Sequence, residues 1–514
     1  MPLGVALAAL TALALAGPVS AADKPNVVVI LADDLGYGDV KCLNPDGKIP
    51  TPNIDRLAAS GMVFTDANTP SGVCSPTRYG LITGRYAWRS KLKSGVLGGL
   101  SPRLIEPGRV TVAQLLKDRG YHTACVGKWH LGMDWQLKPD KKVTELGIEP
   151  REQVFNVEYD RPIKNGPTAV GFDYYFGISA SLDMVPYTFI ENDKVTADPT
   201  EDRDFPFLPG RTTGPRCRNG PAAPGFEAEN VLPELTKRAV AYLGERARAK
   251  TPFFLYVPLA SPHTPILPTK DWQGKSGLTP YTDFVMATDA AVGEVLAALK
   301  ANGLEENTLV VFTSDNGCSP QADIPALVKL GHNPSHVFRG HKADIFEGGH
   351  RVPFIVRWPG KVPAGAKTDR TVCLTDVTAT CAELAGAKLP DDVGEDSISF
   401  AAAWASPKEP AARTGLVVQS VNGSFAVREG KWKLCLCPGS GGWSAPRPGK
   451  DEAGLPAVQL YDLEADVAEK TNLQDKHPEV VERLTKQLEK WVADGRSTPG
   501  KPQQNTTPVT IRRK

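Results

Sequence analysis

Asn26-Val27-Val28-Val29-Ile30-Leu31-Ala32-Asp33-Asp34 is the stretch whose reading decides the fold. An uninterrupted apolar run, largely β-branched, suits a strand buried on both faces of a parallel sheet. This one ends in two carboxylates. Thr308 to Ser314 (TLVVFTS) repeats the design and ends in Asp315-Asn316-Gly317. Phe253 to Leu259 (FFLYVPL) leads to Ser261-Pro262-His263, and Tyr121 to Val126 runs into Gly127-Lys128-Trp129-His130. Helical patterns fall between them, at Thr111 to Arg119, Glu229 to Lys250 and Tyr281 to Asn302. Alternating strands and helices predict an α/β sheet covered on both faces. Ligands of such sheets bind beyond the carboxyl ends of the strands. Here those ends carry Asp, Asn, Lys and His.

Working outward, Leu137 to Arg218 is irregular and rich in Pro, Gly and Asp, the character of an insertion that shapes specificity. After a Pro- and Ala-rich loop, Gly415 to Val421, Ser424 to Arg428, Lys431 to Cys437 and Val458 to Leu463 predict short antiparallel strands. A helix over Pro478 to Ala493 closes that set. The expected division is a catalytic domain over 23–395 and a small α+β domain over 396–514, with a loose tail from Ser497. Val5 to Ala16 is a short apolar run followed by Val19-Ser20-Ala21. Residues 1–22 therefore resemble a signal peptide, although no Lys or Arg precedes the run. Export to the periplasm or the exterior is expected, with no other membrane-crossing segment and no integral membrane association.

The 514 residues carry 59 basic and 58 acidic side chains, a net charge of +1. No global field steers such a chain to nucleic acid, so any anion recognition is local. Nine cysteines leave at least one outside any intramolecular bridge. Cys435 and Cys437 form a C-x-C that fits buried or bridged cysteine better than a metal site.

Cys74-Ser75-Pro76-Thr77-Arg78 has Pro where a helix begins, which puts Cys74 at the positive end of the helix and Arg78 one turn on along the same side. A nucleophile beside a fixed guanidinium suits an anionic substrate; the pentapeptide alone fits a buried cysteine beside a structural Arg equally well. Arg85, Arg89, Lys91 and Lys93 read as a solvated face, with an anionic polymer as the alternative partner. His332, His336, His341 and His350 cluster near Lys342 in the sequence and read as solvated-loop histidines, with contact to substrate as the alternative. Trp135 and Trp272 fit sugar stacking or core packing.

CSPTRYGLITGR (74–85) resembles the signature of formylglycine-dependent (type I) sulfatases, in which C-x-P-x-R directs oxidation of the cysteine. GKWHLG (127–132) resembles the second signature. The likeness extends to ADDLGYGD (32–39), TPNIDRL (51–57), SDNG (314–317), GHK (340–342), EGGHRVP (347–353) and LYDL (460–463). The order of these motifs is similar to the arylsulfatase A and N-acetylgalactosamine-6-sulfatase branch.

That resemblance implies an alkaline-phosphatase-superfamily sandwich, with a large, mostly parallel sheet followed by a small antiparallel sheet and a helix. It implies Asp33, Asp34, Asp315 and Asn316, with modified Cys74, as ligands of one divalent cation, calcium in most relatives and magnesium the alternative. It implies Arg78 holding the nucleophile, and Lys128 and Lys342 on sulfate oxygens. His263, with help from Lys342, would be the general acid and His130 the base. The partners implied are a sulfated carbohydrate and, transiently, a formylglycine-generating enzyme. The rival readings are a phosphonate or phosphodiester hydrolase of the same superfamily and a noncatalytic binder of sulfated glycans.

Overall fold

The computed structural model describes residues 24–407 and 413–512. The segment read as a signal peptide lies outside the described residues. The central sheet has ten strands: β1 (Asn26–Ala32), β2 (Met62–Phe64), β3 (His122–Lys128), β4 (Tyr174–Ile178), β5 (Ile190–Glu191), β6 (Lys194–Val195), β7 (Phe253–Pro258), β8 (Thr308–Ser314), β9 (Phe354–Arg357) and β10 (Ala366–Thr368). Their spatial order is β10-β2-β9-β8-β1-β7-β3-β4-β5-β6. The middle five, β8-β1-β7-β3-β4, are all parallel. Strand β1 is wholly buried, as its unbroken apolar run requires.

Register then decides what the sheet presents. Ala32 pairs with Ser314, so the acidic residues after β1 and β8 emerge side by side. The Asp33 N–H bonds the Ser261 carbonyl at 2.9 Å, which draws the loop after β7 to the same edge. Lys128 ends β3 on that edge too. Helix α1 (Cys74–Thr83) is buried along its whole length and stops at Gly84, whose φ of 65° needs glycine. Helices α2 (Val112–Lys117), α3 (Val231–Ala249) and α4 (Pro280–Ala301) occupy the spans expected of them, with α2 shorter than its pattern.

The C-terminal sheet is antiparallel, in the order β11 (Leu416–Gln419), β12 (Phe425–Glu429), β13 (Trp432–Cys435), β14 (Gln459–Asp462). Helix α5 (Pro478–Ala493) lays Val480, Leu484, Leu488 and Trp491 against it, sharing one apolar cluster with Tyr86 and Trp88 of the large sheet's own region.

Two expectations fail here. The tail is tied down, not loose: the Arg85 guanidinium donates to the Gln504 carbonyl at 2.9 Å, Arg89 to Asn505 at 3.0 Å, and the Thr506 N–H to the Arg89 carbonyl at 2.7 Å. For the same reason Arg85 and Arg89 are no solvated face. Both are fully buried, Arg85 paired with Glu395 and Arg89 with Asp396.

Candidate active site

At the carboxyl edge of the parallel strands, every residue singled out from the sequence is buried. Cys74 opens α1, its Sγ 3.8 Å from Asp33 Oδ1. Ligand atoms of Asp33, Asp34, Cys74 and His263 all lie within 4.8 Å of one another. Arg78 reaches back from the next turn. Its Nε and Nη2 donate to Asp315 Oδ2 at 3.1 and 2.8 Å, and its Nη1 to the Lys128 carbonyl at 2.9 Å. Lys128 Nζ bonds Asp33 Oδ2 at 2.7 Å, and Lys342 Nζ bonds Asp34 Oδ2 at 2.8 Å. Asn316 Nδ2 donates to Asp34 Oδ1 at 2.7 Å, while its own Oδ1 is buried without a partner among the described residues.

The electrostatics follow from this crowding. Burial lifts Asp33, but Lys128, His263, Arg78 and Lys342 outweigh it and hold the carboxyl well below its ordinary range. Burial and then the repulsion of Asp33 push Asp315 up to about 6. Burial pushes the Cys74 thiol up to about 12, against the pull of Lys128 and Lys342. An unmodified Cys74 is therefore a poor thiolate at neutral pH.

The two histidines differ. His263 Nδ1 lies 2.6 Å from the Thr264 carbonyl, which turns Nε2 toward Asp34 at 3.6 Å. His130 Nε2 lies 2.8 Å from the Leu97 carbonyl, leaving Nδ1 buried and without a partner among the described residues. Burial, then Lys128 and Arg78, hold the His130 ring well below the ordinary histidine range, so it is neutral and able to accept a proton. His130 does not continue the strand alongside Lys128: β3 ends at Lys128, and His130 takes a left-handed φ of 57°.

Some of the machinery has no obvious sequence signal. Ser314 Oγ accepts the Leu35 N–H at 3.0 Å and donates to the Asn316 carbonyl at 2.9 Å, tying the two acid-bearing loops together. Asp39 takes Tyr281 Oη at 2.5 Å and His332 Nε2 at 2.8 Å, and Tyr281 also reaches the Asp34 carbonyl at 3.3 Å. His332 and His350, expected on solvated loops, are both fully buried. Asp39 stood within the ADDLGYGD stretch; nothing marked Tyr281.

Known proteins carry the same plan. The family model described as Sulfatase matches residues 25–387. The chain belongs to the sulfatase family. It is a sulfuric ester hydrolase, as are its curated relatives. An N-acetylgalactosamine-6-O-sulfatase of Bacteroides thetaiotaomicron is 34% identical, over 91% of this chain and 93% of the relative. Human arylsulfatase A is 33% identical, over 93% of this chain and 89% of its own length. A solved structure from work on the metabolism of multiple glycosaminoglycans by Bacteroides thetaiotaomicron has a TM-score of 0.77 and 33% identity, covering 91% of this chain and 99% of that one. This sulfatase thus has the α/β sheet and small antiparallel C-terminal sheet of its relatives. No helix among the described residues is long and apolar enough to cross a membrane.

Proposed function

We propose that this sulfatase hydrolyses a sulfate monoester of a sugar, through a formylglycine made from Cys74 and with one divalent cation, calcium in preference to magnesium. The observation that carries the reading is the set of donors around Cys74. Asp33 and Asp34 gather with Cys74 and His263, Asp315 and Asn316 are hydrogen-bonded to Asp34, and all four offer the oxygens a hard cation requires; Asn316 Oδ1 is buried with no partner among the described residues. These four side chains would hold the cation, which when bound would acidify a neighbouring hydroxyl and offset charge on the sulfate.

A formylglycine at position 74 would supply a hydrated aldehyde, with one hydroxyl to attack sulfur, displacing the sugar hydroxyl, and a second whose deprotonation would release sulfate. Arg78, pinned by Asp315 and the Lys128 carbonyl, fixes the position of that side chain. Lys128 and Lys342 exchange their carboxylate partners for sulfate oxygens and meet the charge that grows in the transition state. His263, its ring set by the Thr264 carbonyl, gives a proton from Nε2 to the departing sugar hydroxyl. His130, whose Nδ1 is without a partner among the described residues, would accept the proton of the remaining hydroxyl there.

The sulfated-sugar assignment draws on the relative that acts as an N-acetylgalactosamine-6-O-sulfatase. The modifying enzyme would act transiently on Cys74, and the apolar N-terminal segment supports export. Mass measurement of the peptide bearing Cys74, with parallel assays of sulfated monosaccharides and the matching phosphates, tests the reading. Formylglycine and faster sulfate release are expected. An unchanged cysteine with full activity overturns the mechanism, and faster phosphate release overturns the reaction.

A further inference from the structure

Trp135 and Trp272 take the core-packing alternative. Trp135 is buried, with Nε1 donating to the Gly99 carbonyl at 3.2 Å and its ring edge-on to Tyr159; Trp272 is packed against the main core. Of the nine tryptophans only Trp443 is exposed, at 38%, and its indole makes no hydrogen bond among the described residues. It lies on the loop between β13 and β14, and its ring centre is 6.0 Å from Lys342 Nζ.

This position is built. The Asp344 carboxylate, two residues beyond Lys342, accepts the N–H groups of Trp443 at 2.8 Å and Ser444 at 3.0 Å. Gly442 lies so close to the Ala343 carbonyl that a Cβ would sit 2.5 Å from it. The Ile345 N–H bonds the Ser440 carbonyl at 2.8 Å, and Arg447 Nε bonds the Trp443 carbonyl at 2.8 Å. One segment thus carries Lys342 and also fastens the tryptophan beside it. An exposed indole on a backbone fastened in this way offers contact area with little backbone ordering left to lose.

We propose that Trp443 is a specificity-determining residue that stacks on the sugar ring whose sulfate Lys342 binds, which rests on the sulfated-sugar reading above. An aliphatic pyranose face is apolar enough to cover an indole, and a sulfate held at Lys342 places that ring within reach of Trp443. The test uses the full, metal-loaded, formylglycine-bearing enzyme with N-acetylgalactosamine 6-sulfate. Trp443→Ala should raise KM about tenfold with kcat changed less than about twofold, and Trp443→Phe should recover most of the loss. Inhibition by inorganic sulfate, which has no ring to stack, should stay within about twofold of wild type. An unchanged KM in Trp443→Ala overturns the assignment. So does a joint shift of KM, kcat and sulfate inhibition, which marks a merely structural role. Wild-type enzyme that cleaves aryl sulfates but no sulfated sugar overturns the sugar reading itself, and the stacking role with it.

Discussion

Two buried charge clusters of this sulfatase set three acids against three bases and have opposite characters. The first is the candidate active site, with Asp33, Asp34 and Asp315 against Arg78, Lys128 and Lys342. The second joins the large sheet's region to the C-terminal sheet, with Asp66, Glu347 and Glu469 against Arg351, Arg428 and Lys433. There Lys433 Nζ bridges Glu347 at 3.0 Å and Glu469 at 2.8 Å, Arg351 Nε bonds Glu347 at 2.9 Å, and Arg428 Nη2 bonds Asp66 at 2.6 Å. Its histidine is saturated as well, His350 meeting Asn68 at 3.0 Å and Lys433 at 2.9 Å. In the active site, by contrast, His130 Nδ1 and Asn316 Oδ1 are buried with neither a hydrogen bond nor an ion pair among the described residues, whereas Glu469 Oε1 of the second cluster, also without a hydrogen bond, is neutralised by Lys433 Nζ at 2.8 Å. Buried charge marks neither cluster as catalytic. Unpartnered buried atoms at the carboxyl ends of parallel strands distinguish the one proposed to do chemistry.

The sharpest way to break this contrast is to delete one residue from each cluster. Cys74→Ala should lower kcat by roughly 10⁴-fold or more, since it would remove the proposed nucleophile, and should leave Tm unchanged or higher. Lys433→Met should do the reverse. It strands Glu347 and Glu469 in the interior, a change that destabilises by about 3–5 kcal/mol, while activity per folded molecule stays near wild type. Thermal melts beside initial rates decide it. A large Tm loss in Cys74→Ala, or an inactive but fully folded Lys433→Met, would erase the distinction.

A cation provides the next largest test. If Asp33, Asp34, Asp315 and Asn316 hold one, chelation should abolish activity and lower the stability of the folded state. The loss is about 2.7 kcal/mol where the free cation stood at a hundred times its dissociation constant. Calcium should restore both. The Lys433→Met protein should respond to the chelator as wild type does, because its defect lies in the other cluster. A melting curve indifferent to chelation would remove the cation from the first cluster.

The active-site cluster was far more legible in the sequence than the second one. An unbroken β-branched run followed by acids declares a central parallel strand and its functional end together, because burial on both faces and a ligand at the carboxyl edge leave marks in adjacent residues. C-x-P-x-R likewise writes a helix start and a paired guanidinium into one short segment. Partnerships across long separations leave no such mark. Arg85 and Arg89 look like surface charge until Glu395 and Asp396 are folded against them, some three hundred residues away in sequence. Trp443 and Tyr281 gain their places only from loops brought together by the C-terminal sheet and by α4. The left-handed turn at His130 is equally invisible, since nothing in Lys-Trp-His says where the strand stops.

The smallest expected effect concerns pH and the saturated histidine. Burial, then the charge of Lys433, hold His350 well below the ordinary histidine range, and burial of Glu347 is outweighed by Lys433, Arg351 and His350, which hold its carboxyl below the ordinary value. Both folded-state values are depressed, so both groups bind protons more readily in the unfolded chain. Each contributes stability that is present above its unfolded pKa and lost as pH falls: His350 from about 6.5 downward, Glu347 from about 4.5 downward. Between pH 6.5 and 5 a single such histidine contributes a slope of at most about 1.4 kcal/mol per pH unit. His122, His130 and His336 are depressed by burial too and add to the wild-type slope. His350→Gln should therefore flatten the fall of stability across this window by one proton's worth, leave the steeper loss below 4.5 in place, and leave the pH profile of kcat unmoved. Denaturant titrations at successive pH values measure the first two, and initial rates the third. A shifted kcat profile would mean that the two clusters are coupled and that His350 belongs, electrostatically, to the active site.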